Sequence, residues 1–168
     1  MVQAGRTGST SDSETPLDIR TLRAAETEEL GRRLAGLLTP GDALALVGPL
    51  GAGKTVFVRG IARGLGYQGL VTSPTFAIIH VFEDIRLCHV DAFRLSGGED
   101  LEKAGIEEYL DGSWICAVEW ADLVRDALPE GCLCVSITMG AGEDERIVTL
   151  ESGGGWAARL ANMSRGFS

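Results

Sequence analysis

Lysine is scarce in this 168-residue chain, which has thirteen arginines but only Lys54 and Lys103. Positive charge is short altogether, with a formal net charge of -9. Non-specific binding to nucleic acid needs a broad basic surface. That class is therefore excluded, and only a local basic patch stays open. Asparagine occurs once, at Asn162, and neither N-K-x-D nor D-x-x-G is present. A regulatory GTPase would carry both. No apolar run reaches the ~18–20 residues of a membrane span. C-x-x-C is missing too. Cys88, Cys116, Cys132 and Cys134 are scattered, three of them inside apolar runs. They read as free thiols buried in strands of a cytosolic protein, with no zinc cluster and no disulfide framework. Residues 1–16, MVQAGRTGSTSDSETP, lack an apolar core. They are expected to be an unstructured leader and not a secretory signal.

Hydrophobic residues make up 45% of the chain and charged residues 23%, which is ordinary for a globular protein. One domain is expected over 17–150, with 151–168 as a tail. TLRAAETEELGRRLAGLL spaces Leu30, Leu34 and Leu37-Leu38 as a helix does, with Thr21 or Thr27 as its cap. Thr39-Pro40-Gly41-Asp42 ends it. ALALV (43–47) is a short continuous apolar run, typical of a strand buried on both faces of a parallel sheet. A glycine-rich loop follows, and then VFVRGIARGLG, a helix to Gly66.

Further strands are expected in 76–82, 85–93 and 113–118. Short helices are expected in 96–110, and ADLVRDAL reads as a helix closed by Pro129. CLCVSITM (132–139) and RIVTL (146–150) form a late hairpin. The predicted class is α/β of the P-loop NTPase type: a mostly parallel central sheet flanked by helices, with a C-terminal antiparallel strand pair.

The glycine-rich loop carries the chemistry. Gly48-Pro49-Leu50-Gly51-Ala52-Gly53-Lys54-Thr55 fits G-x-x-x-x-G-K-[ST]. Glycines let successive amides turn inward around phosphate oxygens. The helix N-terminus adds partial positive charge. Lys54 brings a full charge to the β and γ phosphates, and the Thr55 hydroxyl can ligate Mg²⁺. With GTPase motifs absent, ATP is the expected nucleotide.

Such a loop needs a further acid for the metal and a group that positions water. In open α/β sheets these stand at the C-terminal ends of strands. IRLCHVD ends in Asp91 and SWICAVE in Glu119. His89 shares a strand face with Asp91 and reads equally as a buried, hydrogen-bonded histidine or a site group. Arg94 reads as an ion-pair partner or a site group, and Trp120 as core or lid. Thr75 sits where a nucleotide-sensing switch loop would, or in a plain turn.

Residues 95–99, LSGGE, come within one letter of the ABC ATPase signature. Only about 40 residues separate Lys54 from Leu95, too few for the helical subdomain of such a motor. A small P-loop kinase of a nucleoside or metabolite is the main alternative. Against it, only Arg86 and Arg94 lie between Glu83 and Gly112, few for a phosphoryl-transfer lid. A nucleotide-switched binding module is a third reading.

Taken together, the motifs resemble those of the TsaE (YjeE-type) ATPase family of bacterial tRNA threonylcarbamoyladenosine synthesis. The matching runs are Gly48–Thr55, Arg59-Gly60, Leu65-Gly66, Ser73–Phe76, His89–Leu95, Gly105–Tyr109 and Glu119-Trp120. They cover roughly residues 25–130. Pro49 stands where the family usually has Asp, Phe93 replaces the commoner Tyr, and the match fades after 140.

The resemblance implies a slow Mg-dependent ATPase whose rate rises with TsaD-like and TsaB-like partners. The ATP cycle would reset their complex between turnovers, with tRNA touched only indirectly. It further implies that Thr55 and Glu119 hold Mg²⁺, that Lys54 and the loop amides hold phosphates, and that Asp91 organises the water.

Overall fold

Strand β2 (Ala43–Val47) has no polar side chain and is buried over its first four residues. A strand with nothing to show solvent belongs inside a sheet. In the computed structural model, which describes residues 15–74, 76–151 and 153–163, it lies at the centre of seven strands. Their order is β1-β7-β6-β2-β5-β4-β3. These are β1 (Leu17–Thr21), β3 (Ile79–Phe82), β4 (Leu87–Asp91), β5 (Ile115–Glu119), β6 (Leu133–Met139) and β7 (Arg146–Glu151). The β2–β5, β2–β6 and β4–β5 pairs are parallel. β6–β7, β1–β7 and β3–β4 are antiparallel. The expected class is the observed one, with a second antiparallel edge at β3–β4.

Side-chain alternation along β2 divides the core. Leu44 and Leu46 join Leu30, Leu34, Phe57 and Ile61 on one face. Ala43 and Ala45 join Cys88, Val90, Leu101 and Cys116 on the other. The first face is covered by α1 (Ala24–Ala35) and α2 (Lys54–Gly64), the second by α3 (Gly98–Lys103) and short 3-10 turns. The α1 and α2 backbones approach closely because Gly31, Gly60 and Gly64 sit at their contact. A Cβ on Gly60 would collide with the Glu28 carbonyl.

Several local expectations shift. β1 is a strand the sequence reading left out. Ile19 and Thr21 point inward and Asp18 and Arg20 outward, the period-2 alternation of a half-buried edge. Neither Thr21 nor Thr27 caps α1. Their hydroxyls bond each other at 2.8 Å, and Glu26 reaches back to the Leu22 amide at 2.8 Å. ADLVRDAL forms 3-10 turns over Ala121–Ala127, broken at Val124 (φ -131°). The four cysteines are free thiols. In the segment after 151, α4 (Trp156–Leu160) puts Trp156 and Leu160 into the first core face, and Met163 joins them from the turn that follows. Arg159 holds it there through Asp42, at 2.9 Å, and the Leu37 carbonyl.

Candidate nucleotide site

β2 stops at Val47 and α2 starts at Lys54, so residues 48–53 must reverse the chain in one tight loop. Gly51 (φ +77°) and Gly53 (φ +103°) take the left-handed conformation that such a turn requires. Gly48 is pressed against the Ile137 carbonyl of β6, where a Cβ would clash. Pro49 contributes its carbonyl, which accepts from the Ala52 amide at 3.1 Å. Leu50 is 79% exposed at the rim and Ala52 is buried behind it.

Lys54 is only 5% exposed. Its Nζ donates to the carbonyls of Gly48 (2.7 Å) and Pro49 (3.0 Å) and lies 4.1 Å from the centre of the Trp120 ring. Burial pushes its pKa down, and the nearby carboxylates of Glu119, Asp91 and Asp122 pull the other way.

The two strand-end acids arrive side by side, because β4 and β5 pair with Asp91 opposite Glu119. Glu119 is 3% exposed. Its Oε1 accepts from the Thr55 hydroxyl at 2.7 Å and from His89 Nε2 at 2.8 Å. Asp91 accepts from Ser73 Oγ at 2.6 Å and from the Phe93 amide at 3.0 Å.

Leu50, Lys54, Thr55, Asp91, Glu119 and Trp120 thus line one cleft of about 520 Å³. Arg94 reaches the same cleft, its guanidinium 5.9 Å from the Phe76 ring and without a carboxylate partner among the described residues. Thr75, the expected switch residue, lies outside the described residues.

A smaller pocket of about 170 Å³ opens on the other side of the loop, between Ala24, Thr27, Ala52, Val56 and Arg146. Arg146 Nε donates to the Ala52 carbonyl at 3.1 Å. Sequence reasoning missed Thr27, Arg146 and Ser73. Only Ser73 stood in a motif, SPT; the other two come from distant parts of the chain and meet through the β1–β7 pairing and the phosphate loop between them.

Among the described residues no group of three or more His, Cys, Asp or Glu side chains could hold a metal by itself. Thr55 and Glu119 offer one hydroxyl and one carboxylate. That sparse oxygen pair suits Mg²⁺, which keeps waters and takes its other ligands from phosphate. Among the described residues, no helix is long and apolar enough to cross a membrane.

Comparison with known proteins follows the same lines. The family model described as threonylcarbamoyl adenosine biosynthesis protein TsaE matches residues 21–148. The tRNA threonylcarbamoyladenosine biosynthesis protein TsaE of Bacillus subtilis is 42% identical over 137 residues, 80% of this chain and 85% of that protein. Its namesake in Streptomyces coelicolor is 45% identical over 120 residues, covering 68% and 80%. A crystal structure of Bacillus subtilis YdiB superposes with a TM-score of 0.76 at 36% identity, over 90% of this chain and 95% of that one. The chain belongs to the TsaE family, which takes part in tRNA threonylcarbamoyladenosine biosynthesis.

Proposed function

We propose that this protein is a Mg-dependent ATPase that drives turnover of a threonylcarbamoyladenosine-synthesis complex in the cytoplasm. The observation that carries the reading is the 2.7 Å bond from Thr55 Oγ1 to Glu119 Oε1. It ties the first turn of the phosphate-loop helix to the end of a neighbouring strand, as a phosphate-bound cation site requires. With its proton given to Glu119, the Thr55 oxygen keeps its lone pairs for a cation.

Charge supports the same reading. Lys54 and Arg94 share the cleft with Asp91 and Glu119, so its formal charges cancel. A triphosphate would enter with its own charge uncompensated. Mg²⁺ supplies that compensation at the β and γ oxygens when bound. Lys54 leaves its loop carbonyls for the phosphates, beside the amides of 51–55. Asp91, fixed by Ser73 and the Phe93 amide, holds a water through its carboxylate. The adenine goes to the pocket of Thr27 and Arg146.

The rim supports a role for partners. Leu50 (79% exposed) and Phe93 (55%) are apolar and open at the mouth of the cleft, and Phe76 (96%) stands beside it near Arg94. A docking protein would bury them and shut out water, raising a slow basal rate. TsaD-like and TsaB-like proteins are the proposed partners, and the acidic chain meets tRNA only through them.

ATP hydrolysis measured alone and with those proteins tests this. The expected result is a low basal rate that rises severalfold with partners and disappears in Lys54→Ala. Absence of Mg-dependent ATP binding would overturn the reading, and so would a rate indifferent to partners.

A further inference from the structure

We infer that His89 is a positioning residue for Glu119, holding its carboxylate ready for the cation before nucleotide arrives; this rests on the nucleotide reading above. His89 is fully buried in β4, diagonally across from Glu119 in the β4–β5 register. Its Nε2 lies 2.8 Å from Glu119 Oε1. Among the described residues Nδ1 is buried with no hydrogen-bond partner.

These observations assign the proton. A carboxylate only accepts, so Nε2 must donate. In the neutral ring Nδ1 is then a bare lone pair, and no N–H is left unpaired. The imidazole therefore makes one hydrogen bond among the described residues: a single N–H aimed at Oε1.

That bond has a consequence for Glu119. The carboxylate is nearly out of solvent, and an ionised group there needs donors. Two converge on Oε1, from Thr55 and His89. Thr55 can turn about its own χ1, and its oxygen is wanted by the cation. His89 is clamped in the sheet core and cannot follow. It is the fixed point that keeps the carboxylate in the conformation reaching Thr55. Partners behind ligands commonly matter about 10–100-fold in metal affinity.

The test uses the full chain and a fluorescent ATP analogue, titrated with and without MgCl₂. Three variants separate donor from packing. His89→Leu removes the donor and keeps an apolar filler. His89→Gln returns an amide N–H close to the Nε2 position. His89→Asn carries the same amide one methylene short of Glu119.

The Mg-dependent gain in affinity should fall about 10–100-fold in His89→Leu and His89→Asn. It should return to within a few-fold in His89→Gln, while Mg-free binding is unchanged in all three. The Mg²⁺ concentration for half-maximal hydrolysis should move in parallel. If His89→Leu fails to fold, the comparison of His89→Asn with His89→Gln decides alone.

A purely packing role gives the opposite order, with Leu mildest and Gln no better than Asn, and that order overturns the inference. If the wild-type protein itself gains no affinity from Mg²⁺, the nucleotide reading falls and this inference falls with it. A wild type that gains affinity from Mg²⁺, with His89→Leu and His89→Asn gaining just as much, overturns the inference alone.

Discussion

The Lys54 ammonium lies over the Trp120 indole, 4.1 Å from the ring centre. Lys54 opens α2, and Trp120 stands just past the end of β5. Trp120 directly follows Glu119 and holds a left-handed backbone (φ +58°), unusual for so bulky a residue. Its ring also meets Phe93 at 4.9 Å. A nucleotide that draws Lys54 toward its phosphates must change the surroundings of this indole. Tryptophan emission should therefore respond to ATP analogues. Trp114 packs on Tyr109, and Trp156 donates to the Gly131 carbonyl. The signal should survive Trp114→Phe with Trp156→Phe and vanish in Trp120→Phe. A response retained in Trp120→Phe would contradict the stacking argument.

Glu119→Gln keeps the shape of the acid and removes its charge. The cation-dependent part of ATP affinity should drop about 10–100-fold, and the Mg-free part should stay or improve. Lys54→Ala should lose about 1.5–3 kcal/mol of nucleotide binding, the scale of a hydrogen bond to a charged group. Isothermal titration of ATP with and without Mg²⁺ distinguishes the two effects. Equal losses under both conditions for Glu119→Gln would remove it from the metal.

Gly60 and Gly36 make a contrast in stability. A methyl at Gly60 meets the Glu28 backbone of α1, which cannot swing aside, whereas one at Gly36 stands 3.4 Å from the Arg33 carbonyl oxygen. Gly60→Ala should cost about 1–3 kcal/mol through overpacking. Gly36→Ala should be neutral or gain up to about 1 kcal/mol from reduced chain entropy. Urea denaturation followed by circular dichroism checks the pair.

What the sequence revealed tracks how local the signal is. Gly48 to Thr55 could be read because strand, loop and helix are contiguous and each has its own period. Asp91 and Glu119 could be placed in the cleft because strand ends beside such a loop face it. The contact of Glu119 with Thr55 and His89 depends on register, which no spacing reveals. LDIRT was overlooked because five alternating residues beside a longer helical pattern are a weak signal. Val124 sits in a stretch whose apolar spacing suits a helix, yet 3-10 turns with a break formed there instead. Arg146 and Thr27 had no motif at all.

Asp42 links α4 to the central sheet and gives a pH prediction. Burial works against its charge, but the donors from Arg159 and Thr39 outweigh it and hold the carboxyl below its usual value. A depressed carboxyl contributes stability above its unfolded pKa of about 3.9, and that contribution is lost as pH falls through the lower folded value. Arg159→Met should be less stable than wild type by about 1–3 kcal/mol near neutral pH. The gap should narrow below about pH 4. Thermal melts across pH 2.5–7, about the range both proteins should tolerate, test this. A constant gap would mean that Arg159 acts through packing on Trp156, which it overlies at 4.0 Å.

The strand order carries a consequence for synthesis. Among the described strands β1 leaves the ribosome ahead of the others, yet its partner is β7, with Leu17 opposite Leu150. For most of translation the opening strand has nothing to pair with, and only the last hairpin closes that edge. Contacts so far apart in sequence form late. The pocket beside the phosphate loop takes one wall from α1 and another from Arg146. A nascent chain stopped before β7 would own the phosphate loop but lack the Arg146 wall of that pocket, so this corner of the proposed nucleotide site exists only once β7 is in place.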